Sequence, residues 1–345
     1  MAILAAAESR ATRTPLDLDN VSDYLGAPER RFFGEGYKRA QHRLAGIAFG
    51  QDATTGSTTT PTLTGTAAVT YPADWSRKGE VDQKPHLSTI DVLLLGVQLT
   101  EALLARHRGL DDEDFRGSWL RRARIKAGAV PVEDDLAAIP VAARLAAEQP
   151  SPDPERTVSV VDATVGALTI RVELDHPDVL RAPAEPPLTG LADRPFGDAY
   201  RQRRQSVEDV RVAPGRDSAT AVARLTAWDL AAAPGSGTEG GHQPSAGLVD
   251  AFVVALQLGQ VMLYELDGVS RADSDTLWMR STLLEASSPH RPLTTPDGGP
   301  HPVTAELRDA TLLTTRHGDT WRRADIAAEL AGVSVVCSVA HRLPA

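Results

Sequence analysis

One pattern runs through this chain twice. Pro85, Asp91, Gln98, Trp119 and Arg121 recur as Pro244, Asp250, Gln257, Trp278 and Arg280, each pair 159 residues apart. Chance does not hold five identities at one offset. With small gaps allowed the copies align further. Phe33-Gly34-Glu35-Gly36-Tyr37-Lys38 echoes Phe196-Gly197-Asp198-Ala199-Tyr200-Arg201, Ile139-Pro140-Val141 echoes His301-Pro302-Val303, and Gly166 to His176 echoes Gly332 to His341. A period this long exceeds a solenoid or propeller unit and points to a duplicated domain. Such a tandem chain imitates a two-fold dimer, so chemistry is expected at the seam between its halves.

A length of 345 residues suits two domains, each large enough to bury its own core. Composition fits a soluble globular protein, with 42% hydrophobic and 24% charged residues. A net charge of −10 argues against nonspecific binding to nucleic acid or to an anionic membrane, both of which attract basic surfaces. Cys337 is the only cysteine, which leaves no intrachain disulfide and no thiolate zinc site. The opening Met1–Glu8 is apolar but short and lacks a positive n-region, a poor secretory signal. The apolar stretches near 90–105 and 246–264 are interrupted by Asp91, Gln98, Asp250 and Gln257, which disfavours membrane spans. A cytoplasmic protein is expected, either a monomeric pseudo-dimer or a homodimer.

Residues 1–28 read as a polar, irregular lead-in, and 29–176 as the first repeat. Residues 177–190, with Pro177, Pro183, Pro186 and Pro187, read as a linker that continues neither sheet nor helix. Residues 191–345 are the second repeat. Within the first, the alternation of Leu44, Ile47 and Phe49 predicts a strand, 52–66 a turn or hairpin loop, and 66–71 another strand. A helix over about 86–106 follows, apolar nearly all round, with Ser88 and Thr89 as candidate N-caps. Its second copy spans about 246–265. Strands are predicted at 117–127, 139–146, 156–163 and 166–175, and in the second copy at 276–286, 301–308, 310–316 and 329–340. This order predicts an α+β chain: a tandem (double) hotdog, each half an antiparallel sheet wrapped round a central buried helix.

Asp91 and Asp250 are the least expected residues, each a carboxylate in the first turns of an apolar helix. A buried acid either finds partners or takes up a proton, and a raised pKa suits general acid or base work. Gln98 and Gln257 lie two turns on, sharing a face with each aspartate. Either the four close the seam or they contact substrate. His86 breaks the symmetry, because Ser245 stands at its counterpart. Asp91, Asp250 and His86 are therefore the catalytic candidates. Trp119 with Arg121, and Trp278 with Arg280, open the strand after each helix and suit either seam packing or a cationic grip on phosphate or carboxylate. Tyr37 and Lys38 complete the candidate substrate contacts. No Walker loop, dinucleotide fingerprint, His-Glu-x-x-His or Gly-x-Ser-x-Gly elbow occurs, so neither cofactor nor metal is expected.

The blocks Val21-Ser22-Asp23-Tyr24-Leu25-Gly26, Arg31-Phe32-Phe33-Gly34-Glu35-Gly36-Tyr37-Lys38, Tyr71-Pro72-Ala73-Asp74-Trp75-Ser76 and His86-Leu87-Ser88-Thr89-Ile90-Asp91 resemble the AvrD (avirulence D) family. The resemblance covers most of the first repeat and is weaker in the second. It implies a role in making syringolide-like acyl-sugar butenolides, by joining a β-ketoacyl thioester to a ketopentose and closing the ring. The implied partners are an acyl-carrier protein or acyl-CoA thioester and a sugar or sugar-phosphate acceptor. In hotdog enzymes the N-terminus of the central helix commonly faces a thioester carbonyl. Double-hotdog dehydratases pair a His of the first half with an Asp on the second helix. His86 and Asp250 are the matching types here, although the dehydratase histidine motif is missing. A dehydratase or thioesterase, and a non-catalytic ligand-binding or scaffold protein of a biosynthetic complex, are the alternatives.

Overall fold

The computed structural model describes residues 13–53, 59–78, 81–128, 130–227, 235–274, 277–316 and 318–344. Met1–Glu8, and part of the predicted loop at 52–66, lie outside these. A short strand β1 (Leu16–Asn20) and helix α1 (Ser22–Leu25) come first, followed by β2 (Gln41–Ala53), β3 (Thr59–Thr70) and a small hairpin, β4 (Arg77–Lys78) and β5 (Val81–Asp82). The long helix α2 (Thr89–Arg108), the short α3 (Asp112–Arg116), and β6 (Trp119–Lys126), β7 (Ile139–Pro150), β8 (Arg156–Val165) and β9 (Leu168–Pro177) complete the first half. The second half repeats the order: β10 (Arg203–Val212), β11 (Ser218–Ala227), α4 (Leu248–Asp267), β12 (Trp278–Ala286), β13 (His301–Thr314), β14 (Thr320–Leu330) and β15 (Val333–Arg342).

All strands but the small hairpin join one antiparallel sheet in the order β1-β10-β11-β13-β14-β15-β12-β6-β9-β8-β7-β3-β2. The halves meet where β6 pairs with β12, and Arg124 lies opposite Leu283 there. Those two positions differ by the repeat offset itself, so the pseudo-two-fold axis passes between them. Beneath each half-sheet runs its helix. Every residue from Thr89 to Ala105 is buried, as is every residue from Leu248 to Tyr264, because sheet and opposite half enclose each helix all round. The chain is a double hotdog. Helix α4 has the length and composition of a membrane span, but it is the core of this sheet.

Each helix ends at a left-handed glycine, Gly109 (φ 70°) and Gly268 (φ 67°), as a C-terminal cap favours. The aromatic blocks cross over. Phe33 meets Phe252 of α4 edge-on at 5.9 Å, while the Phe196 carbonyl accepts from Gln98 of α2 at 2.8 Å. Their glycines serve this packing, since a Cβ on Gly34 would collide with the Pro28 carbonyl oxygen and one on Gly36 with that of Trp75.

Three expectations change. The lead-in is not irregular throughout: β1 pairs with β10 of the second half, and Val21 and Leu25 are buried. The strands expected at 301–308 and 310–316 are one strand, β13. A register shift between Arg308 and Thr311, with Asp309 at φ 51°, breaks the alternation midway and imitates a turn. Strand β14 was then missed. Thr59–Thr66, expected within a turn or hairpin loop, belong to β3, while the 177–190 linker is tied to the last turn of α2 by the backbone N–H groups of Arg181 and Ala184 at 2.8 and 2.9 Å.

Candidate active site at the start of the first helix

Asp91 occupies the third position of α2 and closes a capping box with Ser88. Its backbone N–H donates to Ser88 Oγ at 3.2 Å, and its Oδ2 accepts the Ser88 N–H at 2.7 Å. The carboxylate is 1% exposed. Its Oδ1 lies 2.7 Å from His42 Nε2 on β2, and the Tyr71 hydroxyl, just past β3, donates to Oδ2. Burial alone would raise the Asp91 carboxyl, but the His42 hydrogen bond and charge, with Ser88 and Tyr71, hold it below its ordinary value. Burial, reinforced by the Asp91 charge, pushes the Tyr71 phenol well above its own, so it stays a donor.

Asp250 repeats this geometry with different chemistry. The Gly247 N–H donates to its Oδ2 at 2.7 Å, matching Ser88. Gln205 Nε2 donates to Oδ1 at 2.6 Å, and Gln205 stands where His42 does in the first half. In place of the tyrosine hydroxyl, Arg203 Nη2 donates to Oδ2 at 2.6 Å. The strand registers equate Tyr71 with Ala227 and Arg203 with Ala40. One aspartate is held by imidazole and phenol, the other by a fixed cation and an amide.

The surroundings differ more. At the start of α2 lies a cleft of about 510 Å³, within the range of small-molecule sites. Its walls include His86, Ser88 and Thr89 from the helix entry, Phe32 and Trp75 from the first half, and Trp278, Met279 and Trp321 from the second. At the start of α4 the matching space is about 40 Å³. Glu239 lines that remnant and forms a 2.6 Å ion pair with Arg291, both side chains being 1% exposed. It also accepts the Leu120 N–H at 3.2 Å.

The expected site residues separate accordingly. His86 lines the cleft, edge-on to Trp75 with ring centroids 5.2 Å apart, and its Nδ1 is 3.3 Å from the Lys84 carbonyl oxygen. It does not pair with Asp91, whose imidazole partner is His42, nor with Asp250, which sits in the Arg203 and Gln205 cage. Asp91 lies behind the cleft, joined to it through Ser88. Gln98 and Gln257 do not reach it. Gln98 holds the Phe196 carbonyl, and Gln257 accepts from Arg31 Nη1 at 2.8 Å, so both tie a helix to the opposite half's aromatic block. Trp278 lines the cleft. Arg280 stacks on that indole at 4.7 Å, and Arg121 on Trp119 at 5.5 Å, which makes both arginines aromatic partners, Arg121 also lying 3.7 Å from Asp175. Tyr37 is buried and donates to Gln205 at 3.1 Å, while Lys38 pairs with Glu35 at 2.8 Å; neither lines the cleft. Among the described residues no group of three or more His, Cys, Asp or Glu is placed to hold a metal.

His42 and Tyr71 are the residues that sequence reasoning passed over, although Tyr71 stood in a family block. The signal was present, because continuing the 163-residue alignment of the Phe-Gly blocks sets His42 against Gln205.

The model of the Pseudomonas avirulence D protein (AvrD) family matches residues 17–344. The chain belongs to the AvrD family. No curated protein matches this AvrD chain. Among solved structures it is similar to the tesB protein of Mycobacterium avium subspecies paratuberculosis, at 10% identity over 82% of this chain and 93% of that one, with a TM-score of 0.37. It is also similar to the pyran synthase domain from module nine of the sorangicin pathway, at 11% identity, 87% and 99% coverage and a TM-score of 0.36. A third is a conserved hypothetical protein of Mycobacterium tuberculosis with a double hotdog fold, at 9% identity, 75% and 82% coverage and a TM-score of 0.37.

Proposed function

We propose that this AvrD protein is an enzyme acting on an acyl thioester, and that it joins a β-ketoacyl thioester to a ketopentose-type sugar and closes the product to a butenolide. The observation that carries this is the open cleft at the start of α2, where its counterpart at α4 is closed by Glu239 and Arg291.

The first N–H groups of a helix have no acceptor within it and sit at the positive end of its dipole. Ser88 and Asp91 spend theirs on each other, which fixes the turn that presents Thr89 and Ile90. A thioester carbonyl placed there gains donors matched to its developing oxyanion. His86 serves as the base. With Nδ1–H donating to the Lys84 carbonyl, Nε2 accepts the proton of a sugar hydroxyl. The hydroxyl oxygen bonds to the acyl carbon, the C–S bond breaks, and the thiol leaves with the proton returned from His86. The product is a β-ketoacyl ester of the ketose. The acidic carbon between its two carbonyls then attacks the ketose carbonyl, and loss of water closes the ring. Asp91 positions the helix start through Ser88, and Trp278 walls the acyl side.

The test is thiol release from a β-ketoacyl thioester with and without ketopentose, with products followed by mass spectrometry. Release that depends on the sugar, together with a product lighter than the simple ester by one water, is expected. Equal release without sugar makes the protein a thioesterase; consumption of neither substrate returns it to a binding role.

A further inference from the structure

Two arginines in the cleft wall are not in direct contact with any acid among the described residues. Arg31 is 3% exposed and donates to Gln257 Oε1 at 2.8 Å and Ser22 Oγ at 3.1 Å, both neutral, while its buried Nε has no acceptor. Arg271 donates to the carbonyl oxygens of Arg77 at 2.7 Å and Arg30 at 3.5 Å. Among the described residues neither makes an ion pair. The cleft's carboxylates are engaged elsewhere, Asp82 with Arg77 at 2.6 Å and Glu133 with Lys84 at 2.8 Å.

The second half shows how such an arginine is neutralised from within. Arg194, the counterpart of Arg31, forms ion pairs with Glu101 at 3.4 Å and with Asp112 at 2.7 Å. The repeat offset carries Glu101 onto Gln260 and Asp112 onto Arg271. An amide replaces one acid and a second guanidinium replaces the other. The three-residue cluster thereby changes from one net negative charge to two net positive charges, and all three of its residues line the open cleft. Burial, and then the charge of Arg271, lower Arg31 to about 10 against the smaller opposing charges of Glu29 and Glu35. A buried cation beside a half-buried one is a costly arrangement that an anion relieves, and guanidinium is the group best shaped to grip phosphate.

We propose that Arg31, Arg271 and Gln260 form an anion subsite that takes a phosphate ester carried by one of the two substrates. This rests on the cleft being the active site. The phosphate belongs either to the sugar acceptor or to the phosphopantetheine arm of the thioester carrier. In a chain with ten net negative charges, a locally cationic cleft also draws such substrates in.

The test is calorimetric binding to the full chain at low salt with two pairs of probes: a ketopentose phosphate against the ketopentose, and 4′-phosphopantetheine against pantetheine. One phosphorylated member is expected to bind about tenfold or more tightly than its partner. Preference within the first pair assigns the phosphate to the acceptor, and within the second pair to the carrier. Gln260→Glu supplies the acid that the second half uses, so it is expected to erase the preference while the melting temperature stays near that of the parent. Arg271→Gln is expected to weaken it similarly. No preference in either pair, or a preference that survives Gln260→Glu, overturns the subsite. The measurement needs no turnover. Phosphate preference without condensation removes the proposed reaction and leaves the subsite, whereas condensation without phosphate preference does the reverse.

Discussion

The starts of α2 and α4 descend from one pattern and now differ in kind. Both hold an aspartate at the third helical position, and in both its Oδ2 caps the backbone N–H three residues back. At α4 a fixed cation completes the cage and a buried ion pair fills the space in front. At α2 the cage is imidazole and phenol, and about 510 Å³ stands open. The conserved half of the motif is thus a capping device that both folds need. The divergent half separates a structural end from one able to receive a substrate.

The largest expected effect lies in the cleft. His86→Ala should lower product formation by about 100-fold or more, the usual scale for losing a positioned base, with the melting temperature close to the parent's. An unchanged steady-state rate would move the base elsewhere. Next come the two aspartates, compared by chemical denaturation. Asp250→Asn leaves Arg203 buried without its counter-charge, which costs about 3–5 kcal/mol. Asp91→Asn should cost less, about 1–3 kcal/mol, because its partners are hydrogen-bonding imidazole and phenol groups rather than a buried guanidinium. Equal losses would erase the distinction between the cages.

The same pair differs in acid. Because the folded Asp91 carboxyl lies below its ordinary value, its contribution is present above about pH 4 and disappears as pH falls through the lower folded value. Asp91→Asn should therefore flatten the stability profile below pH 4, with Asp114, Asp162 and Asp267 retaining their own acid sensitivity. A smaller effect is expected from His42→Gln, which copies Gln205. If His42 only positions Asp91, turnover should stay within about threefold of the parent, in line with a retained hydrogen bond; a loss as large as that of His86→Ala would make the buried imidazole part of the proton path. Smallest of all is Arg308→Ala, which removes an exposed pair with Glu306 and should change stability by less than about 1 kcal/mol.

Much of this architecture was legible because a duplication repeats its own constraints. The helix period, the aspartate of the first helical turn and the order of strands recur, and the meeting of β6 with β12 follows from the two-fold they imply. What stayed hidden was non-local. Strand β14 was lost behind the bulge at Asp309, and β1 pairs with a strand almost two hundred residues away. Asp91 announced itself as an acid in an apolar helix. Its partners did not, because His42 and Tyr71 reach it from the ends of β2 and β3, and only the fold brings those ends together. His86 was found by asymmetry alone. The same test applied to Glu101 and Asp112 would have pointed to Gln260 and Arg271, but an alignment interrupted by gaps gives no hint that those positions surround one arginine.

The most direct measurement is a crystal structure of the protein with a non-hydrolysable amide analogue of a β-ketoacyl thioester. The acyl carbonyl is expected in the α2 cleft, within hydrogen-bonding distance of the Thr89 or Ile90 N–H, with His86 beside it and the α4 start still closed by Glu239 and Arg291. An analogue bound at the start of α4, or outside both clefts, would contradict the assignment of function to the first half.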